Sequence, residues 1–322
     1  MAFYDIFNGD ADGICALHQL RLETPCEAQL VTGAKREIRL VDRVEAAAGD
    51  ELTVLDVSFD SNRQGVLRAL EAGARVRYFD HHFAGDVPRH EALQANIDTA
   101  PDVCTSLIVD RALNGRHRAW AVVAAFGDNL AAAAERAAAL LGLAPHALEQ
   151  LRELGECINY NAYGESVDDL HYHPGDLYRA LAPYADPFRF ISGEPVFDVL
   201  KQGMADDLYR ASEARSLGER AGHALIVLPA EAWSRRVSGI LGNRLAQQYP
   251  ERAHAVLTAR PDGGFVVSVR APVANPGGAD ALCRQFESGG GRAGAGGINR
   301  LAASELDRFA RAFAAAYPAR VQ

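Results

Sequence analysis

Three short apolar runs each give way to an aspartate, and that repeat constrains the fold more than any other feature of the chain. "FYDIF" (3–7) runs into "NGDADG", with Asp10 and Asp12; "LTVLDV" (52–57) carries Asp56; "RVRYFD" (75–80) ends on Asp80, followed by His81 and His82. Apolar runs this short, rich in aromatic and β-branched residues, predict buried strands. Helical patterns follow the first two. "ICALHQLRL" (14–22) sets Ile14, Leu17 and Leu20 on one face. "SNRQGVLRALEAG" has Ser61 as its expected N-cap, an apolar face of Val66, Leu67 and Leu70, and Gly73 as its stop. Strands alternating with helices imply crossover units, a mostly parallel sheet and an α/β fold. Ligands of such sheets collect outside the carboxyl ends of the strands, and every acid named above falls there.

Farther along, an alanine-rich segment from Thr105 to Leu154 predicts packed helices, since leucines and valines recur through it. "ADPFRFISGEP" (185–195) breaks the pattern, and a polar helical stretch (198–217) reads as a connector. "HALIVLPA" opens a second alternation, with a helix at about 234–248, a strand near "AHAVLTA" and half of a hairpin at "GGFVVSVRAP". The glycine-dense "ESGGGRAGAGGIN" (287–299) reads as a loop, and an alanine-rich helix closes the chain. No internal repeat stands out. The expected organisation is an N-terminal domain over 1–190, a helical connector over 191–217 and a smaller α/β domain over 218–322, with the site in the cleft between the two domains.

Composition narrows the function classes. The 322 residues are 48% hydrophobic and 23% charged, an ordinary globular balance, and no apolar run approaches the ~20 residues of a membrane span. The start, "MAFYDIFNGDADG", has no basic-then-apolar signal pattern. Five scattered cysteines without a Cys-x-x-Cys pair predict free thiols in a reducing compartment, so a soluble cytoplasmic protein is expected. A net charge of -9 argues against a broad footprint on duplex nucleic acid. It leaves room for a small phosphate-bearing ligand, because cations and a few arginines can neutralise one locally.

If the strands are neighbours, Asp10, Asp12, Asp56, Asp80, His81 and His82 converge on one rim. Carboxylates packed together raise one another's pKa, an arrangement that is costly unless a cation occupies it. Carboxylates with one imidazole suit Mn²⁺ or Mg²⁺ better than zinc. Gly9 and Gly13 permit a sharp loop that aims Asp10 and Asp12 inward. Each piece has a plainer reading: Asp-x-Asp-Gly as a turn, Asp56 as a helix cap, paired histidines as surface. A fourth acid, Asp128 in "AAFGDNL" (124–130), either completes the set or ends a helix. Gly289, Gly290 and Gly291 either offer N–H groups to an anion, with Arg292 and Arg270 beside them, or form a flexible loop. Lys35 and Arg36 in "TGAKREI" read as a solvated charge cluster, and Tyr160, Tyr163, His171 and His173 as part of a loop between helices.

In order along the chain, "NGDADGI", "TVLDVSFD", "YFDHH" and "FGDN" resemble the four motifs of the DHH phosphoesterases. "GGGRAGAGG", "RRVSGILGNRLAQQYP" and "SVR" resemble that family's associated C-terminal domain, whose signature is Gly-Gly-Gly-His-x-x-Ala-Ala-Gly. The resemblance covers nearly the whole chain and implies a phosphodiester hydrolase with two Mn²⁺ ions, Mg²⁺ being the alternative. By position it makes Asp56 the bridging ligand, gives Asp10 to the first ion, and gives Asp12, His81 and Asp128 to the second. It turns His82 toward the substrate phosphate, with Asp80 supporting the imidazoles, and implies in-line attack by a hydroxide between the ions. The compact chain favours short single-stranded oligonucleotides cut to 5′-mononucleotides, exonuclease fashion. Nucleoside 3′,5′-bisphosphates, cyclic or linear dinucleotides, and non-catalytic nucleotide binding are the alternatives. No membrane or stable duplex partner is expected, and a homodimer is left open. Ile6 stands where many members carry a histidine, and Asn8 where RecJ-like members carry an aspartate, so the first ion should be the weaker. Arg292 replaces the glycine-loop histidine, keeping a phosphate grip but not proton chemistry.

Overall fold

A computed structural model describes residues 1–318; the chain divides into two compact units, Met1–Gly203 and Met204–Gln322. The first is built on a five-stranded sheet, β1 (Phe3–Phe7), β2 (Gln29–Val31), β3 (Glu51–Leu55), β4 (Arg75–Asp80) and β5 (Leu93–Ile97). All neighbours are parallel, in the order β2-β1-β3-β4-β5. Its helices are α1 (Ala11–Glu23), α2 (Phe59–Glu71), α3 (Thr105–Ala112), α4 (Arg118–Gly127), α5 (Ala131–Ala139), α6 (Pro145–Ala162), α7 (Pro174–Leu181) and α8 (Pro187–Gly193), and α9 (Pro195–Ser212) contains the boundary between the units.

Register shows why the strands are apolar on both faces. Ile6, Val54 and Tyr78 sit side by side and pack with Phe59, Val66 and Leu70 of α2. One residue on, Phe7, Leu55 and Phe79 form the matching row on the other face, also fully buried. Burying each such side chain contributes about 1.5–3 kcal/mol. Helix α1 is buried from Ala11 to Leu20 and contacts α3, α4 and α6, so its apolar stripe is only part of an all-round burial. Gln19 Nε2 donates to Ser106 O at 3.2 Å, though its Oε1 is buried without a partner among the described residues, and the His18 ring reaches Tyr184 O at 2.8 Å.

Several local expectations are revised. α1 begins at Ala11, with Asp10 as its N-cap, not at 14. Ser58, not Ser61, caps α2, accepting from Ser61 N at 3.4 Å. The alanine-rich segment is four helices, the break at 185–195 contains α8, and the connector helix ends at Ser212 with a strand after it. β2 and β5 were not foreseen, because "QLV" is short and "LQANI" is polar. Gly9 and Gly13 matter through space, not φ: neither has positive φ, but a Cβ would lie 2.1 Å from Gly33 O at Gly9 and 2.2 Å from Asn8 O at Gly13.

The second unit has a mixed six-stranded sheet in the order β10-β11-β9-β8-β7-β6: β6 (Arg215–Glu219), β7 (His223–Leu228), β8 (Ala253–Ala259), β9 (Phe265–Arg270), β10 (Gly289–Arg292) and β11 (Ala295–Leu301). β7 and β8 are parallel across α10 (Ala232–Gln248), and the other neighbours are antiparallel. Leu257, Val267, Val269 and Ile298 pack with Phe309 and Phe313 of α12 (Leu306–Ala316) and with α11 (Ala279–Cys283). The glycine-dense run is therefore a hairpin of two strands, not a loop. A Cβ at Gly289 would lie 1.8 Å from Cys283 O, and one at Gly291 2.5 Å from Gly296 Cα, so the glycines let the hairpin close on itself and on α11. All five cysteines are free thiols, and no helix among the described residues is long and apolar enough to cross a membrane.

Candidate metal centre

The parallel sheet brings the carboxyl ends of β2, β1, β3 and β4 to one rim, and each delivers a charged group. Asp10 and Asp12 follow β1, Asp56 follows β3, and Asp80 ends β4 with His81 and His82 after it. Asp128, the C-cap of α4, joins them. Thus Asp10, Asp12, Asp56, His81 and Asp128, expected from the sequence as ligands, are brought together. His81 Nε2 lies 3.4 Å from Asp56 Oδ1, 3.8 Å from Asp128 Oδ2 and 4.0 Å from Asp12 Oδ2.

Neighbouring groups fix each side chain. Asp12 accepts the Thr105 and Ser106 N–H groups at the start of α3, both at 2.7 Å, where a carboxylate complements the helix dipole. Asp56 accepts from Thr105 Oγ1 at 3.1 Å and holds a left-handed backbone, φ 58°, a conformation rare outside glycine and often kept at functional positions. His81 Nδ1 is 2.9 Å from Val103 O. A carbonyl only accepts, so that nitrogen carries a proton, and Nε2 is the ring nitrogen turned to the acids. Asp80, fully buried, accepts from His82 Nδ1 at 2.7 Å and His82 N at 3.1 Å through Oδ1, and from Phe59 N at 3.1 Å through Oδ2. Asp80 therefore orients His82 and the start of α2, while Val103, not Asp80, orients His81.

The electrostatics show what this convergence costs. Burial pushes the Asp56 carboxyl well above the usual carboxylate range, and Asp12, Asp10 and Asp128 push it the same way. Burial also raises Asp128, against the pull of Lys35. For His82, burial works downward but the Asp80 carboxylate prevails, and the imidazole is raised. Asp12, His81 and Asp128 each present a ligand atom within 4.8 Å of the others, and Asp56, His81 and His82 form a second such group. Two buried acids, a third at the rim and one imidazole of fixed tautomer fit a hard divalent cation.

Lys35 is the chief correction to the sequence reading. It follows β2, and its Nζ lies 2.6 Å from Asp10 Oδ2, 3.2 Å from Asn159 Oδ1 and 3.3 Å from Asp128 Oδ1. The ammonium and the carboxylate stabilise one another. Burial alone would raise Asp10, yet Lys35 brings it down to about 2, and burial alone would lower Lys35, yet Asp10 raises it well above the usual lysine range. Sequence reading missed Lys35 because it missed β2; recognising "QLV" as a strand would have placed Lys35 at a carboxyl end with the acids. Val103, Thr105, Ser106 and Asn159 carry no motif and show only in three dimensions. Tyr160 and His171, read as loop residues, are joined at 2.8 Å, with Tyr160 inside α6.

In the second unit, Arg292 is exposed at the end of β10, and Arg270 Nε donates to Asn243 Oδ1 at 2.7 Å.

No family model and no curated protein matches the chain. Solved structures do. An exonuclease RecJ bound to manganese matches with a TM-score of 0.62 at 17% identity, over 100% of this chain and 91% of that one. RecJ from Thermus thermophilus, in complex with Mn²⁺, matches at 0.57 and 15%, over 98% of this chain and 52% of that one. A pGpG-specific phosphodiesterase, PggH, from Vibrio cholerae matches at 0.52 and 14%, over 97% of both. At such identities the likeness is one of architecture, and it extends through both units: this chain has the RecJ-like α/β fold.

Proposed function

We propose that this chain is a metal-dependent phosphoesterase of the DHH family that hydrolyses short oligonucleotides to 5′-mononucleotides. The observation that carries the reading is the convergence of Asp12, Asp56, His81 and Asp128 at the strand ends, with Asp56 held in a left-handed backbone conformation and raised by burial and its acidic neighbours. These four residues would hold a divalent cation, which when bound supplies Lewis acidity toward a phosphate oxygen and lowers the pKa of water. Mn²⁺ is the ion proposed, in line with the manganese in the two RecJ structures and with the donor set.

The chain's own residues do the rest. His82, 43% exposed at its side chain and held at Nδ1 by Asp80, presents its other ring nitrogen to a phosphate. Val103 and Asp80 keep the two imidazoles from turning, and Thr105 holds Asp56 in place. In the second unit, Arg292 and Arg270 are the proposed contacts to a further substrate phosphate, with Gly290 and Gly291 beside them on the edge strand, while the Gly289 N–H is already donated to Phe286 O at 3.1 Å. Hydrolysis of a linear dinucleotide is the second reading, favoured by the likeness to the pGpG-specific enzyme over 97% of both chains.

The test is incubation of the purified chain and Mn²⁺ with short RNA and DNA oligomers, linear and cyclic dinucleotides, 3′,5′-bisphosphorylated adenosine and polyphosphate, with products resolved by mass. The proposal expects 5′-mononucleotides from the short oligomers. Release of inorganic phosphate from the bisphosphate alone would replace it, and no product with any substrate would leave a nucleotide-binding protein.

A further inference from the structure

Of the two cation positions that the resemblance implies, the residues here fit one. The first would draw on Asp10, Asp56 and the position of Ile6. Ile6 is fully buried among Val54, Val66 and Tyr78, and offers no ligand atom. Asp10 is already engaged at both oxygens: Oδ1 accepts the N–H groups of Asp12 and Gly13 at 3.0 and 3.1 Å, and Oδ2 faces the Lys35 ammonium. An ammonium has three N–H donors, and Asp10, Asn159 and Asp128 supply three oxygens at 2.6, 3.2 and 3.3 Å.

The lysine is anchored, not merely nearby. Lys35 N–H donates to Ala162 O at 2.9 Å, and its carbonyl accepts from Asn8 Nδ2 at 3.3 Å. Glu37 accepts Ala34 N–H at 2.7 Å, and buried Asn62 bonds both Ile38 O and Val41 N, at 2.7 and 3.1 Å. The loop is thereby tied to α6, β1 and α2.

We propose that the centre binds a single divalent cation, at Asp12, Asp56, His81 and Asp128, and that Lys35 is a built-in monovalent cation in place of a second. This rests on the reading of those four residues as a cation centre. Replacing an exchangeable ion by a tethered charge neutralises Asp10 permanently and leaves Asp128 shared between the ammonium and the ion. The second candidate group, Asp56, His81 and His82, shares Asp56 and His81 with this one position, and a further open ligand atom is Asn8 Oδ1, which is buried and has no hydrogen-bond partner among the described residues. A neutral amide oxygen there does not displace an ammonium that three oxygens already hold.

The experiment is a Mn²⁺ titration of the full chain, with free Mn²⁺ followed by electron paramagnetic resonance and no substrate present. Wild type should bind one equivalent, with an isolated-ion spectrum. Lys35→Met, which removes the charge from the position, should bind two. Asp10→Asn, which keeps the helix cap, should still bind one, whereas a two-ion centre would lose one of its ions. Two equivalents in wild type with a spin-coupled spectrum would overturn the proposal, with Asn8 Oδ1 as the added ligand. One equivalent in a folded Lys35→Met would overturn it too, and no bound Mn²⁺ in any form would remove the cation centre itself. If Lys35→Met does not fold by circular dichroism, the wild-type and Asp10→Asn counts decide. The count involves no hydrolysis, so absence of product in the substrate panel leaves it standing.

Discussion

Asp80→Ala separates the supporting role of this aspartate from a ligand role. Asp80 is fully buried and accepts three hydrogen bonds, from Phe59 N, His82 N and His82 Nδ1. Phe59 N–H sits at the first position of α2 beside a fully buried side chain, so losing its acceptor costs the desolvation of that donor, about 1–3 kcal/mol. The His82 ring is 43% exposed and recovers a water, so its lost bond adds no more than about 1 kcal/mol to stability. The sum is about 1–4 kcal/mol, which for a unit of this size lowers the melting midpoint by about 2–16 °C. Urea unfolding at neutral pH measures the free energy, and Mn²⁺ titration run alongside should show the cation count unchanged. Loss of a bound ion with stability intact would refute the reasoning, because it would make Asp80 a ligand and not a support.

Three further outcomes follow from the same geometry. Asp56→Asn keeps a residue that tolerates φ 58° but removes one acid from the cluster, so the metal-free protein should be as stable as wild type or up to about 2 kcal/mol more stable. Thermal melts with and without Mn²⁺ should also show its metal-induced stabilisation lost; an undiminished shift would contradict the ligand assignment. Gly155→Ala puts a Cβ 2.1 Å from Val123 O, forcing α6 from α4 at about 1–3 kcal/mol, and should weaken Mn²⁺ binding by moving Asp128, which ends α4. Urea unfolding and Mn²⁺ affinity check it together, and unchanged values for both would mean that the helices part freely. His18, whose ring reaches Tyr184 O at 2.8 Å, is lowered by burial from 6.5 to about 4. A depressed imidazole is protonated more readily when unfolded, so its contribution is complete above about pH 6.5 and about 3 kcal/mol is lost as pH falls to about 4. His18→Gln should flatten the stability profile in that window, and ring NMR should show wild-type His18 still neutral at pH 5.

How legible each part was depended on whether its signal was local. β1 and β4 were placed to the residue and β8 to its neighbourhood, because apolar runs bounded by acids or turns carry their own limits. The acids at the strand ends were legible for the same reason, since strand order converts position along the chain into position on the rim. β2 and β5 were not, because edge strands need only one apolar face: β2 reads exposed-half-half, and β5 is polar in the middle. Missing β2 turned Lys35 into a surface residue when it is the counter-ion of Asp10. The glycine-dense run was misread in the opposite direction. Consecutive glycines suggest freedom in sequence, whereas Gly289 and Gly291 are required by backbone approach within a hairpin, which only tertiary packing reveals. The groups that hold Asp12 and His81, namely Thr105, Ser106 and Val103, act through backbone atoms and leave no trace in residue identity.

The central claim, that the strand-end acids form a divalent cation centre, is tested most directly by anomalous diffraction at the manganese edge from crystals grown with Mn²⁺. The account predicts a peak bounded by His81 Nε2 and the carboxylates of Asp12, Asp56 and Asp128, the groups now gathered within 3.4–4.0 Å of that nitrogen. No peak at that rim, or manganese held by other residues while these carboxylates keep only their present protein partners, would contradict it.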